Sequence, residues 1–264
     1  MATAAPLKTP RLRVRDHRFF FWLAVAMTAT IFIGFPMQFL MGRSTFAVPA
    51  IVHVHAAVFF GWTLFYLLQN WLVASGSVAL HRRLGWLGAG WATVIVVLGI
   101  TMTVLMVRRG GVPFFFTPSY FLVMNTLSVL CFGALVAAAI RLRRQTAWHN
   151  RLMACAMAAL TGPAWGRLLP LPLVIPYAGW TVFAAVMLFP LAGIVADLRT
   201  RGRVHPGWWC GIAALAGTQL LMDVAAQSGP GVSLYRTVVA GGAGERVAPL
   251  AYPPFPGPPP AAVP

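Results

Sequence analysis

Seven runs of apolar residues, each near the length of a bilayer-spanning helix, constrain this chain more than any other feature: Phe19 to Met41, Val48 to Ala74, Leu84 to Val107, Tyr120 to Ile140, Leu152 to Leu169, Leu173 to Ala196 and Trp208 to Ala226. A hydrocarbon core about 30 Å thick takes about 20 residues of helix, because backbone N–H and C=O groups cannot be left unpaired in lipid. The runs therefore predict an all-α fold, a polytopic membrane helix bundle with about seven transmembrane helices. The fifth run is the least regular, since Pro163 and Arg167 interrupt its second half.

Charge fixes the expected orientation. With the N-terminus inside, the cytoplasmic segments hold fourteen of the 20 Lys and Arg residues and the outer segments six. Every inner loop contributes to that excess, so the positive-inside rule predicts N-terminus in and C-terminus out, in a bacterial inner membrane. A net charge of +16 would suggest nucleic acid in a soluble protein. Here the cations sit in short loops between apolar runs, where membrane lipids with anionic head groups are the partner and nucleic acid is not. The first run follows Lys8, Arg11, Arg13, Arg15 and Arg18 but is too long for a signal peptide and lacks a small-x-small cleavage site, so it is read as an uncleaved span. Three parts are expected: a basic cytoplasmic segment 1–18, a transmembrane domain 19–227, and a proline-rich disordered tail 228–264 with no eighth helix.

Polar residues in such a chain are few enough to take one by one. Four histidines (His17, His81, His149 and His205) stand at the cytoplasmic starts of the first, third, fifth and seventh runs. The positive end of a helix dipole disfavours imidazolium there, and neutral imidazole is the form that ligates iron. His81 and His149, if neighbours, could supply both axial ligands of a b-type haem. The same positions also suit interfacial caps and head-group contacts. His53 and His55 form a second group near the outer end of the second run; two residues of helix rotate a side chain by about 200°, so the two cannot share a face. Arg167 and Asp223 are expected at similar depth, with Gln38, Asn125 and Gln219 as hydrogen-bond partners. Asp223 is expected to pair with Arg167, His53 or His55, because an unpaired carboxylate in a span is expensive.

Other features read without function. Cys131, Cys155 and Cys210 lie far apart within apolar runs and suggest neither disulfide nor metal site. Trp62, Trp71, Trp86, Trp91, Trp208 and Trp209 are expected mainly in interface belts, and Gly85, Gly88, Ala89 and Ala92 offer helix three a close-packing surface. The chain has no phosphate loop, zinc-protease motif, C-x-x-C pair or nucleophile elbow.

His81-Arg-Arg-Leu-Gly and His149-Asn-Arg-Leu-Met, followed by Ala164 and Arg167, resemble the H-R-x-x-G and H-x-R-x-M loops of a group of bacterial predicted multi-pass membrane proteins of uncharacterised activity. The resemblance covers roughly residues 48 to 170 and implies class and topology, not a reaction. The paired helix histidines are also similar, by scaffold analogy, to b561-type haem proteins. Three functions follow as expectations: a haem-bearing redox protein with a quinone or membrane-complex partner, a proton or small-solute transporter using Arg167, Asp223 and a span-two histidine, and an assembly factor of a membrane complex.

Overall fold

A computed structural model describes residues 10–42 and 44–255. Lys8, Arg43 and the proline-rich segment 256–264 lie outside the described residues, as do the side chains of Arg11, Arg13 and Arg15. Among the described residues the chain is helical throughout: α1 (Pro10–Leu40), α2 (Ala50–Ala74), α3 (Val78–Arg108), α4 (Pro118–Arg141), α5 (Thr146–Leu160), α6 (Gly162–Leu168), α7 (Ala178–Arg201), α8 (Pro206–Gln227) and α9 (Gly229–Val239), with short 3₁₀ turns at Leu171–Val174 and Ala243–Arg246. Six helices, α1 to α4, α7 and α8, are long and apolar enough to cross a membrane. The protein is a multi-pass membrane helix bundle.

The fifth apolar run is divided between α5 and α6, and neither half reaches that length alone. The break has a covalent cause. Pro163 has no N–H to donate to the preceding turn, and its ring crowds the carbonyl four residues back. Thr161, fully buried, closes α5 with its hydroxyl on the Ala158 carbonyl at 2.6 Å.

The core lies around α4 and α5. α4 packs on α3, α5 and α8, while α5 also meets α7 and α8. Met27, Ile95, Phe132, Cys155, Ala156 and Trp208 of five different helices are wholly buried in one cluster. Glycines set the closest approaches: a Cβ on Gly34 would stand 2.8 Å from the Ala164 carbonyl oxygen, and one on Gly88 2.8 Å from the Phe65 ring. Gly88 and Ala92 are thus the packing surface expected on helix three, whereas Gly85 faces open space. Trp71, Trp86 and Trp209 are exposed as belt residues would be, but Trp62 and Trp208 belong to the core.

Residues 228–255 correct the expectation of a disordered tail. Ser228 caps α9 by accepting from the Gly231 amide at 3.1 Å, and Pro230 occupies the first turn, where a missing N–H costs nothing. Gly231, Tyr235 and Val239 recur at a spacing of four on the buried face of α9. That face packs on α3, α4 and α8. The Tyr235 hydroxyl donates to the Gly244 carbonyl at 3.1 Å, and the Ser119 amide donates to the Pro249 carbonyl at 2.9 Å. With Val107, Val112, Phe116, Phe121, Leu171 and Ala178, Tyr235 and Val239 form a second apolar cluster that covers one end of the bundle. An 11-residue amphipathic helix escapes a search for 20-residue apolar runs, which is why the segment reads as tail.

Candidate functional site

The two histidines singled out on α3 and α5 occupy the same place in their helices. The His81 amide donates to the Ser77 carbonyl at 3.1 Å and the His149 amide to the Gln145 carbonyl at 3.1 Å, so each is the residue that closes the first turn on its cap. The connections Ser75–Ser77 and Leu142–Gln145 bring both helix starts to one end of the bundle. The two imidazoles come together there, with ring centroids 6.2 Å apart and planes at 74°. α3 and α5 both pack on α4 but not closely on each other, so the side chains meet across the end of α4.

Hydrogen bonding orients one ring. His149 Nδ1 lies 2.9 Å from the carbonyl oxygen of Ala139, in the last turn of α4, where carbonyls have no partner within the helix. A carbonyl only accepts, so Nδ1 carries a proton, and in the neutral ring Nε2 then holds the lone pair. This is the arrangement of an imidazole ligand, whose far nitrogen donates to a carbonyl or carboxylate. His81 is different: its ring lies against the backbone carbonyl of Gln69 on α2, and its Nδ1 is buried without a well-formed hydrogen bond. Arg82, Arg83, Arg143 and Arg144 are exposed around this end, and the Arg143 guanidinium lies 5.5 Å above the Trp86 ring.

The remaining histidines diverge from the expected pattern of four alike. His17 lies well inside α1, which begins at Pro10. His205 is a true N-cap of α8, its Nδ1 accepting from the Gly207 amide at 3.0 Å. Burial, then the Arg151 guanidinium and, less strongly, Arg201 and Arg203, hold the His205 imidazole below its usual range, with Asp197 opposing them.

Beside His205 is a group that the sequence does not announce. Arg151 and Asp197 are both buried, with side chains 2% and 6% accessible. Arg151 Nε donates to Asp197 Oδ2 at 3.0 Å, Nη2 to Oδ1, and Nη1 to the Ala147 carbonyl at 2.9 Å. The His205 amide donates to the same carboxylate at 3.0 Å, and Arg201, itself paired with Asp16, approaches it at 3.6 Å. Phe20 and Trp208, stacked at 6.1 Å, both flank the guanidinium. In sequence Arg151 is one loop cation among several, and Asp197 is a lone acid 46 residues away. The one available signal is that Asp197 is one of only four acidic residues in the chain.

At the opposite end the second group assembles only in part. His55 is half-buried against Phe59, with ring centroids 4.2 Å apart, while His53 is exposed, as the helical rotation requires. Arg167 on α6 lies within electrostatic reach of His55. Its guanidinium covers the Phe35 ring at 4.0 Å, Nη1 donates to the Pro163 carbonyl at 2.8 Å, and its own carbonyl accepts from Gln38 Nε2 at 2.8 Å. Asp223 does not join them: among the described residues it forms no ion pair with Arg167, His53 or His55, and stands half-buried on α8 near Trp180 and Gln219. Gln219 donates to the Tyr120 hydroxyl at 2.9 Å, and Asn125 turns back to the Phe121 carbonyl at 2.9 Å.

Among the described residues no group of three or more His, Cys, Asp or Glu side chains is placed to hold a metal ion. Comparison with protein-family models, curated proteins and solved structures found no match.

Proposed function

We propose that this protein is a haem-binding membrane redox protein, in which His81 and His149 would hold the haem. The observation that carries the reading is the convergence of the two imidazoles at 6.2 Å with the Nε2 lone pair of His149 left free by its bond to Ala139. Two histidines match the donor set of a b-type haem in number and type. Bound there, haem would supply one-electron transfer, with a membrane quinone or another membrane complex as the partner.

The chain's own residues supply the rest. Ala139 holds the His149 ring by its Nδ1 proton. α4, against which both ligand helices pack, sets the distance between them. Arg82, Arg83, Arg143 and Arg144, exposed around the same end, would supply positive charge to the haem carboxylates. The reading also takes α5 and α6 together as one crossing, which gives seven, with the N-terminus inside and the C-terminus outside, in a bacterial inner membrane. The fourteen-to-six distribution of basic residues supports that orientation.

Transport gains less support. It needs Asp223, Arg167 and a span-two histidine on one path, and only His55 and Arg167 come together. An assembly role has no residue group of its own.

The test is spectroscopic. The full chain, purified in mild detergent with haem precursor supplied during expression, is expected to show a Soret band that shifts on dithionite reduction together with a reduced α-band. His81→Ala and His149→Ala should each remove them. A featureless spectrum from folded protein overturns the proposal.

A further inference from the structure

Arg167 is the one Lys or Arg that falls inside any of the seven apolar runs, and the chain has only four acidic residues with which to balance it. Each acid is placed elsewhere. Asp16 pairs with Arg201, Asp197 with Arg151, Asp223 stands near Trp180 and Gln219, and Glu245 accepts the Gly241 amide at 2.9 Å. Among the described residues no ion pair includes Arg167. His55, within its electrostatic reach, brings no negative charge. The depth of the group follows from two neighbours: Gln38, which donates to the Arg167 carbonyl, is two residues before the end of α1, and His55 is five residues beyond the start of α2. At 1.5 Å per residue these positions lie roughly 3–8 Å inside the helix ends. That matches the layer of about 5–8 Å that separates hydrocarbon from water on each face of a bilayer.

The guanidinium is also held in place. The Phe35 ring lies 4.0 Å from it, Nη1 donates to the Pro163 carbonyl at 2.8 Å, and the seating of Gly34 on Ala164 fixes α6 against α1. Among the described residues Nε and Nη2 donate to no protein acceptor, and the side chain is exposed at the bundle surface. The adjoining face of α1 exposes Ile33, Met37 and Leu40 at spacings of four and three, an apolar strip along which an acyl chain can lie. We infer that Arg167 binds the phosphate of an anionic membrane phospholipid. Nε and Nη2 form the planar fork that takes two oxygens of one phosphate. A cation fixed at this depth without a carboxylate needs a counter-charge from the membrane itself. A net-negative lipid supplies it, whereas a zwitterionic choline lipid brings a second cation to the same place.

Native mass spectrometry of the full chain in neutral detergent, titrated with phosphatidylglycerol, tests this. Loop arginines attract the same lipid, so the deciding quantity is the difference between variants. Arg167→Gln should lose one tightly held phosphatidylglycerol, its affinity falling about tenfold or more as a charge-assisted fork is removed. Arg109→Gln, which removes an exposed loop cation, should retain it. Arg167→Lys keeps the charge without the fork, should weaken binding to a lesser degree, and carries the test if the glutamine variant folds poorly. An unchanged lipid count in both Arg167 variants overturns the site, as does equal retention of phosphatidylcholine by the natural chain. Displacement of the lipid by inorganic phosphate, or a Tm raised by phosphate in the natural chain but not in Arg167→Gln, would make the occupant a free anion and overturn the lipid assignment. Haem has no part in the measurement, so its outcome is separate from that of the redox reading.

Discussion

At the scale of single residues, the costliest arrangement in this protein is the buried Arg151–Asp197 pair. Breaking a buried ion pair from one side leaves an uncompensated charge in a low-dielectric surround and typically costs about 3–5 kcal/mol. Asp197→Asn and Arg151→Met should each lower detergent-solubilised stability by that order, while the double change Arg151→Met with Asp197→Leu should cost less than either alone. A thermal-melt cycle of the four proteins checks this; additive effects would show that the pair is not coupled. His205 adds a pH dependence. Its imidazole is held below the usual range, so the unfolded chain binds the extra proton more readily, and this contribution to stability is present above the ordinary histidine pKa and lost as pH falls through it. Protonation also removes the Nδ1 acceptor that caps Gly207. His205→Asn keeps a cap acceptor without the titration, and should flatten the fall in Tm between about pH 7 and pH 5. These residue roles were unevenly legible. His81 and His149 could be singled out because neutral imidazoles at two helix starts are unusual among so few polar groups. Arg151 and Asp197 could not be paired, because nothing in a sequence brings residues 46 positions apart together when each also has an ordinary place at a membrane boundary.

At the scale of elements, lipid makes long helices legible and leaves short ones obscure. α1 to α4, α7 and α8 follow from apolar runs, because a membrane tolerates few other solutions. The division of the fifth run is foreshadowed by Pro163, but the use made of α6 is not: it packs against α1, with Gly34 seated on Ala164. Gly34→Val should therefore force α1 and α6 apart and destabilise the bundle by about 1–3 kcal/mol, measured as a lower Tm, whereas Gly85→Ala, where a Cβ meets open space, should leave it nearly unchanged. α9 was illegible for a different reason. Its one buried stripe has meaning only against a surface that the other helices build, and the surrounding glycines and prolines suggest loop when read alone.

At the scale of the whole molecule, the two groups of functional interest stand at opposite ends of the bundle. His55 lies near the start of α2 and Gln69 near its end, so at 1.5 Å per residue they are separated by about 20 Å. Substitutions at one end should not perturb the other, and His55→Leu is expected to leave any haem spectrum unaltered. The distribution of basic residues orients the bundle without specifying what either end binds, which is why topology could be argued further from sequence than activity could.

The segment that seals one end of the bundle also orders its assembly in time. Residues 229–249 follow, in chain order, every helix they rest on, so they are made after the segments of α3, α4 and α8 on which they dock. Closure of that end is thus a late event in biosynthesis. Until it happens, the apolar cluster around Val107, Phe121 and Leu171 lacks the cover of Tyr235 and Val239, and the newborn protein presents a sticky surface that its finished form conceals.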